Sequence, residues 1–92
     1  MSISDWRRRI DEIDQKLVEL LNERSRCVIE IGKLKKHQNL RVYDPDRERE
    51  IIRRVLEQNQ GPLDDDGLQR LFERVLDECR RIERSETEKE KD

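Results

Sequence analysis

Arg24 stands at a position where the surrounding helical pattern otherwise places apolar residues. A guanidinium group on such a face is costly unless it is paired. On an ideal helix Arg24 and Lys35 lie about 20° apart around the axis and about 16 Å apart along it, so their side chains can lean together over Val28 and Ile31. Two cations above an apolar floor predict a receptor for a small dianion. The alternative is a structural ion pair between Arg24 and a buried carboxylate.

Weaker patterns of residues that could take part in chemistry lie further along the chain. Asp44, Arg47 and Glu48 fall within one helical turn, and Cys79 lies one turn before Glu83. Each also has an ordinary explanation, since Asp44 is a natural helix cap, the Arg47 region is a solvated charge run, Cys79 suits a core and Glu83 suits a surface. The sequence offers no Ser/His/Asp arrangement, no phosphate-binding glycine loop and no histidine to activate Cys79.

Composition excludes several classes of function. The 92 residues make one domain at most, and 21 basic and 23 acidic residues are interleaved to a net charge of −2, so neither nucleic acid nor an acidic membrane is an expected partner. A single histidine and two cysteines without CxxC spacing predict no metal and no cofactor. The start MSISDWRRRI lacks the apolar core of a secretory signal, so we expect a cytoplasmic protein whose Cys27 and Cys79 are free thiols.

The elements that must position these residues begin with one long helix. Ser4 can cap it, and no proline interrupts the pattern, so a helix over about 4–37 is predicted, about 50 Å long. A second apolar row at Val18, Leu21, Val28 and Ile29 widens its apolar stripe. The main stripe repeats every three or four residues, at Ile3, Trp6, Ile10, Ile13, Leu17, Leu20, Cys27, Ile31 and Leu34.

Two shorter helices follow. Asp44-Pro45 predicts the start of a helix over about 44–60, which ends near Gly61-Pro62. A third helix is predicted over about 64–84, and 85–92 is expected to be a disordered charged tail. Two short helices cannot cover the stripe of a 50 Å helix, so the fold class is all-α, with one long and two short helices in an intertwined homodimeric bundle. A plain coiled coil is the simpler alternative.

The segments WRRRIDEIDQKLVELLNER, IGKLK and DREREI, with the third helix after them, resemble the all-helical class of chorismate mutases over about 6–84. The resemblance implies a catalytic domain over 1–84 and a homodimer with shared active sites. It places Arg24, Lys35 and Arg47 against the two substrate carboxylates, and Arg7 in the site of the partner chain. Helix geometry agrees, because Arg7 lies about 25 Å along the axis from Arg24 and about 100° around it.

The resemblance also assigns roles within the site. Lys35 reaches the ether oxygen of chorismate, Glu48 and the backbone at Asp44 hold the ring hydroxyl, and the third helix supplies Cys79 and Glu83. The implied reaction is the pericyclic rearrangement of chorismate to prephenate, in phenylalanine and tyrosine biosynthesis, which needs no nucleophile, metal or cofactor. The protein must select the compact conformer of chorismate and stabilise the charge that develops on the ether oxygen.

The sequence departs from the family pattern on the third helix, where many relatives have serine and glutamine in place of Cys79 and Glu83. A carboxylate cannot donate a hydrogen bond until it is protonated, so we expect Glu83 to act as a neutral acid whose pKa is raised by burial. Two rival functions stay open. One is an isochorismate-pyruvate lyase of the same fold, and the other is a non-catalytic helical dimerisation module. Association with another enzyme of the aromatic pathway is also possible.

Overall fold

The computed structural model describes residues 1–89, which fold into three helices without a strand in that range. Helix α1 spans Ile3–His37, α2 spans Pro45–Gln58 and α3 spans Asp65–Lys89. The predicted fold class, one long and two shorter helices, is therefore confirmed for the single chain.

Helix α1 begins one residue earlier than predicted, and its cap is Ser2 rather than Ser4. The Ser2 hydroxyl accepts a hydrogen bond from the Asp5 amide at 3.1 Å, and the Asp5 carboxylate accepts one from the Ser2 amide at 3.0 Å. This reciprocal capping box requires an acceptor three residues after the cap. Asp5 stands at that distance from Ser2, so the prediction of Ser4 as the cap was wrong.

Helix α2 begins as predicted, with Pro45 in the first turn and the Asp44 side chain accepting a hydrogen bond from the Arg47 amide at 3.1 Å. It ends at Gln58, two residues before the predicted end. The reason lies in Asn59, whose backbone turns extended and whose side-chain amide donates to the Leu63 carbonyl at 2.9 Å. The Asn59 side chain therefore organises the connection to α3.

Helix α3 continues to Lys89, so the predicted end at 84 was wrong and residues 85–89 are helical rather than a disordered tail. The Thr87 hydroxyl donates to the Glu83 carbonyl at 2.6 Å, and Lys36 of α1 donates to the Thr87 carbonyl at 3.1 Å. These polar contacts stabilise the last part of α3, residues 85–89, which has no apolar face. The rest of the predicted tail, 90–92, lies outside the described residues.

Helix α3 packs against both α1 and α2 and carries the small core, in which Leu76, Cys79 and Glu83 are buried. The first half of α1 has no such cover within residues 1–89. Trp6 is 56% exposed and Leu20 is 60% exposed, and the rest of the stripe between them is similarly bare. No helix among the described residues is both long enough and apolar enough to cross a membrane.

Candidate active site

A cavity of about 250 Å³ opens where the second half of α1, the start of α2 and the second half of α3 meet. It brings together every residue that the sequence marked as part of a site, except Arg7. The lining also includes the expected apolar floor. Its residues are Arg24, Val28, Ile31, Lys35, Val42, Asp44, Arg47, Glu48, Ile51, Leu76, Cys79, Arg80 and Glu83.

Arg24 points its guanidinium at a thiol rather than at a carboxylate. Its Nη1 lies 3.1 Å from Sγ of Cys79, and no carboxylate of residues 1–89 lies within ion-pair distance of it. The structural ion pair that the sequence left open is therefore not formed within the described chain. A thiol is a weak acceptor, so the positive charge of Arg24 remains available to an anion in the cavity.

Lys35 is held in the cavity by the loop that follows α1. Its Nζ donates to the Val42 carbonyl at 2.9 Å and lies 3.5 Å from Oε1 of Glu83. The side chain is only 19% exposed, and that of Glu83 only 5%. Lys35 is thus a sheltered, oriented cation next to a buried carboxyl group.

Burial raises the pKa of Glu83 above its ordinary value of 4.5. The charge and hydrogen bond of Lys35 oppose the rise, and repulsion from Glu48 adds to it, with burial as the largest cause. The net direction is upward. A neutral Glu83 can donate a hydrogen bond to a group in the cavity, as the sequence hypothesis requires.

Gly32 allows α3 to approach α1 at this level, a role that was not predicted from the sequence. A β-carbon at Gly32 would lie 2.6 Å from Cγ of Glu83 and 3.0 Å from Oγ1 of Thr87. Gly32 is buried inside α1, five residues before the helix ends at His37, and glycine inside a helix costs about 1 kcal/mol relative to alanine. A costly glycine inside a long helix was the signal that could have revealed this close contact.

Arg80 is the second residue of the site that was not predicted from the sequence. Its guanidinium donates from Nε to Oε2 of Glu48 at 3.1 Å and from Nη2 to Oε1 of the same carboxylate at 2.8 Å. It also lies over the Tyr43 ring, 4.8 Å from the centroid. Arg80 comes three residues before Glu83 and so shares its helix face, but the run CRRIER resembles a solvated charge stretch.

Asp44 and Arg47 also line the cavity, and the side chain of each has a partner on α2. The Asp44 carboxylate caps α2, and the half-exposed Arg47 side chain pairs with Glu50 on the same helix. Arg7 is exposed near the start of α1, and does not line the cavity of its own chain. This separation follows from the rise of the helix, as expected.

A larger groove of about 540 Å³ runs between α2 and α3, but it is less suited to a dianion. Its cations Arg49 and Arg53 are 71% and 64% exposed and pair with Asp46 and Glu57 respectively, so the described residues of this groove offer no sheltered cation. Within residues 1–89 there is also no group of three or more side chains that could hold a metal ion. The smaller cavity, with its available Arg24 and sheltered Lys35, is therefore the candidate active site.

Known proteins resemble this chain in sequence and in structure. Residues 6–84 match the sequence profile of the family described as chorismate mutase type II. The chain is 44% identical over 78 residues to a bifunctional chorismate mutase/prephenate dehydratase of Neisseria gonorrhoeae, an alignment that covers 85% of this chain and 21% of that protein. The corresponding protein of Stutzerimonas stutzeri is 34% identical over 80 residues, covering 82% of this chain and 22% of that protein.

The chain thus spans about a fifth of the length of these curated relatives. Among solved structures, the form II structure of chorismate mutase from Thermus thermophilus superimposes with a TM-score of 0.88 at 33% identity. That superposition covers 89% of this chain and 93% of the other.

Proposed function

The chain belongs to the chorismate mutase type II family, and we propose that it converts chorismate to prephenate in the cavity that holds Arg24, Lys35 and Glu83. The enzyme is an isomerase of aromatic amino-acid biosynthesis in the shikimate pathway. One ether C–O bond breaks and one C–C bond forms within a single substrate, so no cofactor is required. The observation that carries the proposal is an apolar floor of Val28 and Ile31 flanked by Arg24, which has no carboxylate partner among residues 1–89, and by a sheltered Lys35.

Binding selects the compact conformer of chorismate. Arg24 and Arg47 bind the two carboxylates, and the Arg7 guanidinium of a partner chain completes the set. The apolar floor formed by Val28 and Ile31 packs against the folded substrate. Holding the reacting carbons together removes much of the entropic barrier, because an intramolecular reaction that starts from the reactive geometry needs little further ordering.

Lys35 and Glu83 stabilise the transition state. Negative charge develops on the ether oxygen as the C–O bond breaks, and pre-placed donors in a sheltered site stabilise such charge strongly. Lys35 donates from one side. Glu83 donates from the other in its neutral form, which the raised pKa favours. Cys79 fills the space beside Arg24, and Glu48 accepts the hydrogen bond of the ring hydroxyl.

The active unit is a homodimer whose two sites each take residues from both chains. Support comes from the bare apolar stripe of α1, on which Ile3 is 70% exposed and Leu17 is 50% exposed. A stripe of this length is too apolar to remain in water, and the stripe of a second α1 has the same heptad spacing. The partner chain also accounts for Arg7, which its own cavity cannot use.

Two alternatives fit less well. An isochorismate-pyruvate lyase shares the fold, but the names of the relatives support the mutase. A non-catalytic dimerisation module would not need a cavity with an available arginine. Supplying chorismate and isochorismate separately to the purified protein distinguishes the three. The mutase forms prephenate from chorismate. Formation of salicylate from isochorismate would contradict the proposal. So would a protein that turns over neither substrate and binds no transition-state analogue.

The bifunctional relatives suggest a further partner. We propose that the catalytic domain is 1–84, and that it associates with an enzyme that consumes prephenate, either as a separate protein or within one polypeptide. We also propose a cytoplasmic location, since Cys27 and Cys79 are free thiols. Co-purification with a prephenate dehydratase from the same cell tests the association, and absence of any complex contradicts it.

A further inference from the structure

Arg80 forms an ion pair that belongs to the wall of the cavity rather than to the protein surface. The Arg80 side chain is 27% exposed and that of Glu48 is 24% exposed, whereas pairs such as Arg9–Glu12, Arg47–Glu50 and Arg53–Glu57 join more exposed side chains. Both residues line the cavity, and the pair joins α3 to the start of α2. Two parallel hydrogen bonds fix the plane of the carboxylate as well as its position.

Further contacts fix the guanidinium in turn. The Tyr43 ring lies 4.8 Å from its central carbon, and Asp77 accepts a hydrogen bond from Nη2 at 3.2 Å. Tyr43 follows Val42, whose carbonyl holds Lys35. The same loop is therefore anchored to Lys35 on one side of the cavity and to Arg80 on the other.

Glu48 presents a difficulty for a site that binds a dianion. An uncompensated carboxylate in the wall of the cavity would repel the two carboxylates of the substrate, and sheltered charges are poorly screened. A carboxylate that is free to rotate would also hold the ring hydroxyl of the substrate poorly. The Arg80 guanidinium addresses both needs, since it neutralises Glu48 and fixes its orientation.

We propose that Arg80 is a positioning residue for the mutase reaction, which orients the Glu48 carboxylate and offsets its charge beside the dianionic substrate. This inference rests on the proposed function. Arg80 acts through Glu48 and does not itself touch the reacting atoms. Loss of Arg80 should raise KM, because the dianion is repelled, more than it lowers kcat, because Lys35 and Glu83 still face the ether oxygen.

A double-mutant cycle tests the proposal. The kcat/KM of Arg80→Ala is compared with that of wild type. The kcat/KM of the double variant Arg80→Ala, Glu48→Gln is then compared with that of Glu48→Gln alone, in which there is no carboxylate charge to offset. We expect Arg80→Ala to lower kcat/KM about tenfold to a hundredfold in the native background, the worth of a hydrogen-bonded charge pair. In the Glu48→Gln background its effect should shrink to about twofold or less. Arg80→Gln provides a variant of similar length if Arg80→Ala folds poorly.

The controls separate this role from simple helix packing. Arg81→Ala removes the neighbouring exposed arginine, which pairs with Glu78 on its own helix, and should leave kcat/KM unchanged. An equal loss from Arg80→Ala in both backgrounds, or no loss in the native one, would overturn the proposal. Wild-type protein without mutase activity would instead contradict the proposed function, so the two failures are distinguishable.

Discussion

Replacing Gly32 with alanine tests how closely α1 and α3 must approach for the site to work. The added methyl carbon would lie 2.6 Å from Cγ of Glu83. Because favourable carbon–carbon contacts begin at about 3.5 Å, Glu83 or the whole of α3 must retreat by about 1 Å. A displacement of that size in a catalytic group costs about 100-fold in rate, so kcat of Gly32→Ala should fall by about two orders of magnitude.

Stability should change far less than activity in this variant. Overpacking costs about 1–3 kcal/mol, and alanine in place of glycine inside a helix returns about 1 kcal/mol, so the free energy of unfolding should fall by no more than about 2 kcal/mol. Steady-state rates of chorismate loss and thermal unfolding measure the two effects. Glu30→Ala, on the exposed face of the same helix, is the matched control. A kcat close to that of wild type, in a normally folded Gly32→Ala, would refute the role given to Gly32.

Two further predictions concern Glu83 and the second chain. Glu83 donates only when protonated and its pKa is raised, so kcat/KM should rise as the pH falls through that pKa. Glu83→Gln should flatten this pH profile of kcat/KM. Identical pH profiles for the two proteins would contradict the neutral-acid role. The same shift predicts a pH-dependent stability. The contribution of Glu83 to the free energy of unfolding should fall as the pH rises from its ordinary pKa of 4.5 through the raised pKa, because the folded state then binds more protons than the unfolded state. Denaturation measured across this pH range should lose that dependence in Glu83→Gln. If Arg7 acts in the partner's site, mixing inactive Arg7→Ala and Arg24→Ala chains should restore about a quarter of wild-type activity, since half of randomly paired dimers contain one intact site. Activity that stays absent after complete subunit exchange would exclude the shared site.

The placement of Arg24 and Lys35 in one cavity could be predicted because it depends only on helical periodicity. A helix repeats its geometry reliably, so spacing along the chain converts into position on one face. The separation of Arg7 from that cavity follows from the same rule. The start of α2 was equally predictable, since Asp44 and Pro45 are local signals for a helix start.

The contributions of Gly32 and Arg80 could not be predicted in this way. A glycine inside a helix signals a close contact, but no local pattern specifies which residue makes it, because both contributions depend on how α3 packs against its neighbours. Gly32 matters only because Glu83 lies against it, and Arg80 only because Glu48 and Tyr43 reach it from other elements. The helical end of α3 was missed for a related reason, because Lys36 of α1 supports it through the Thr87 carbonyl.

The measurement that tests the central claim most directly is chorismate conversion by the purified protein, with Arg24→Ala and Arg81→Ala beside it. Wild type and Arg81→Ala should form prephenate with similar kcat/KM. Arg24→Ala should lose about 3–4 kcal/mol of transition-state stabilisation, a factor of hundreds to about a thousand in rate. Near-wild-type kcat/KM in Arg24→Ala, or chorismate left unchanged by the wild-type protein, would contradict a mutase site built around Arg24.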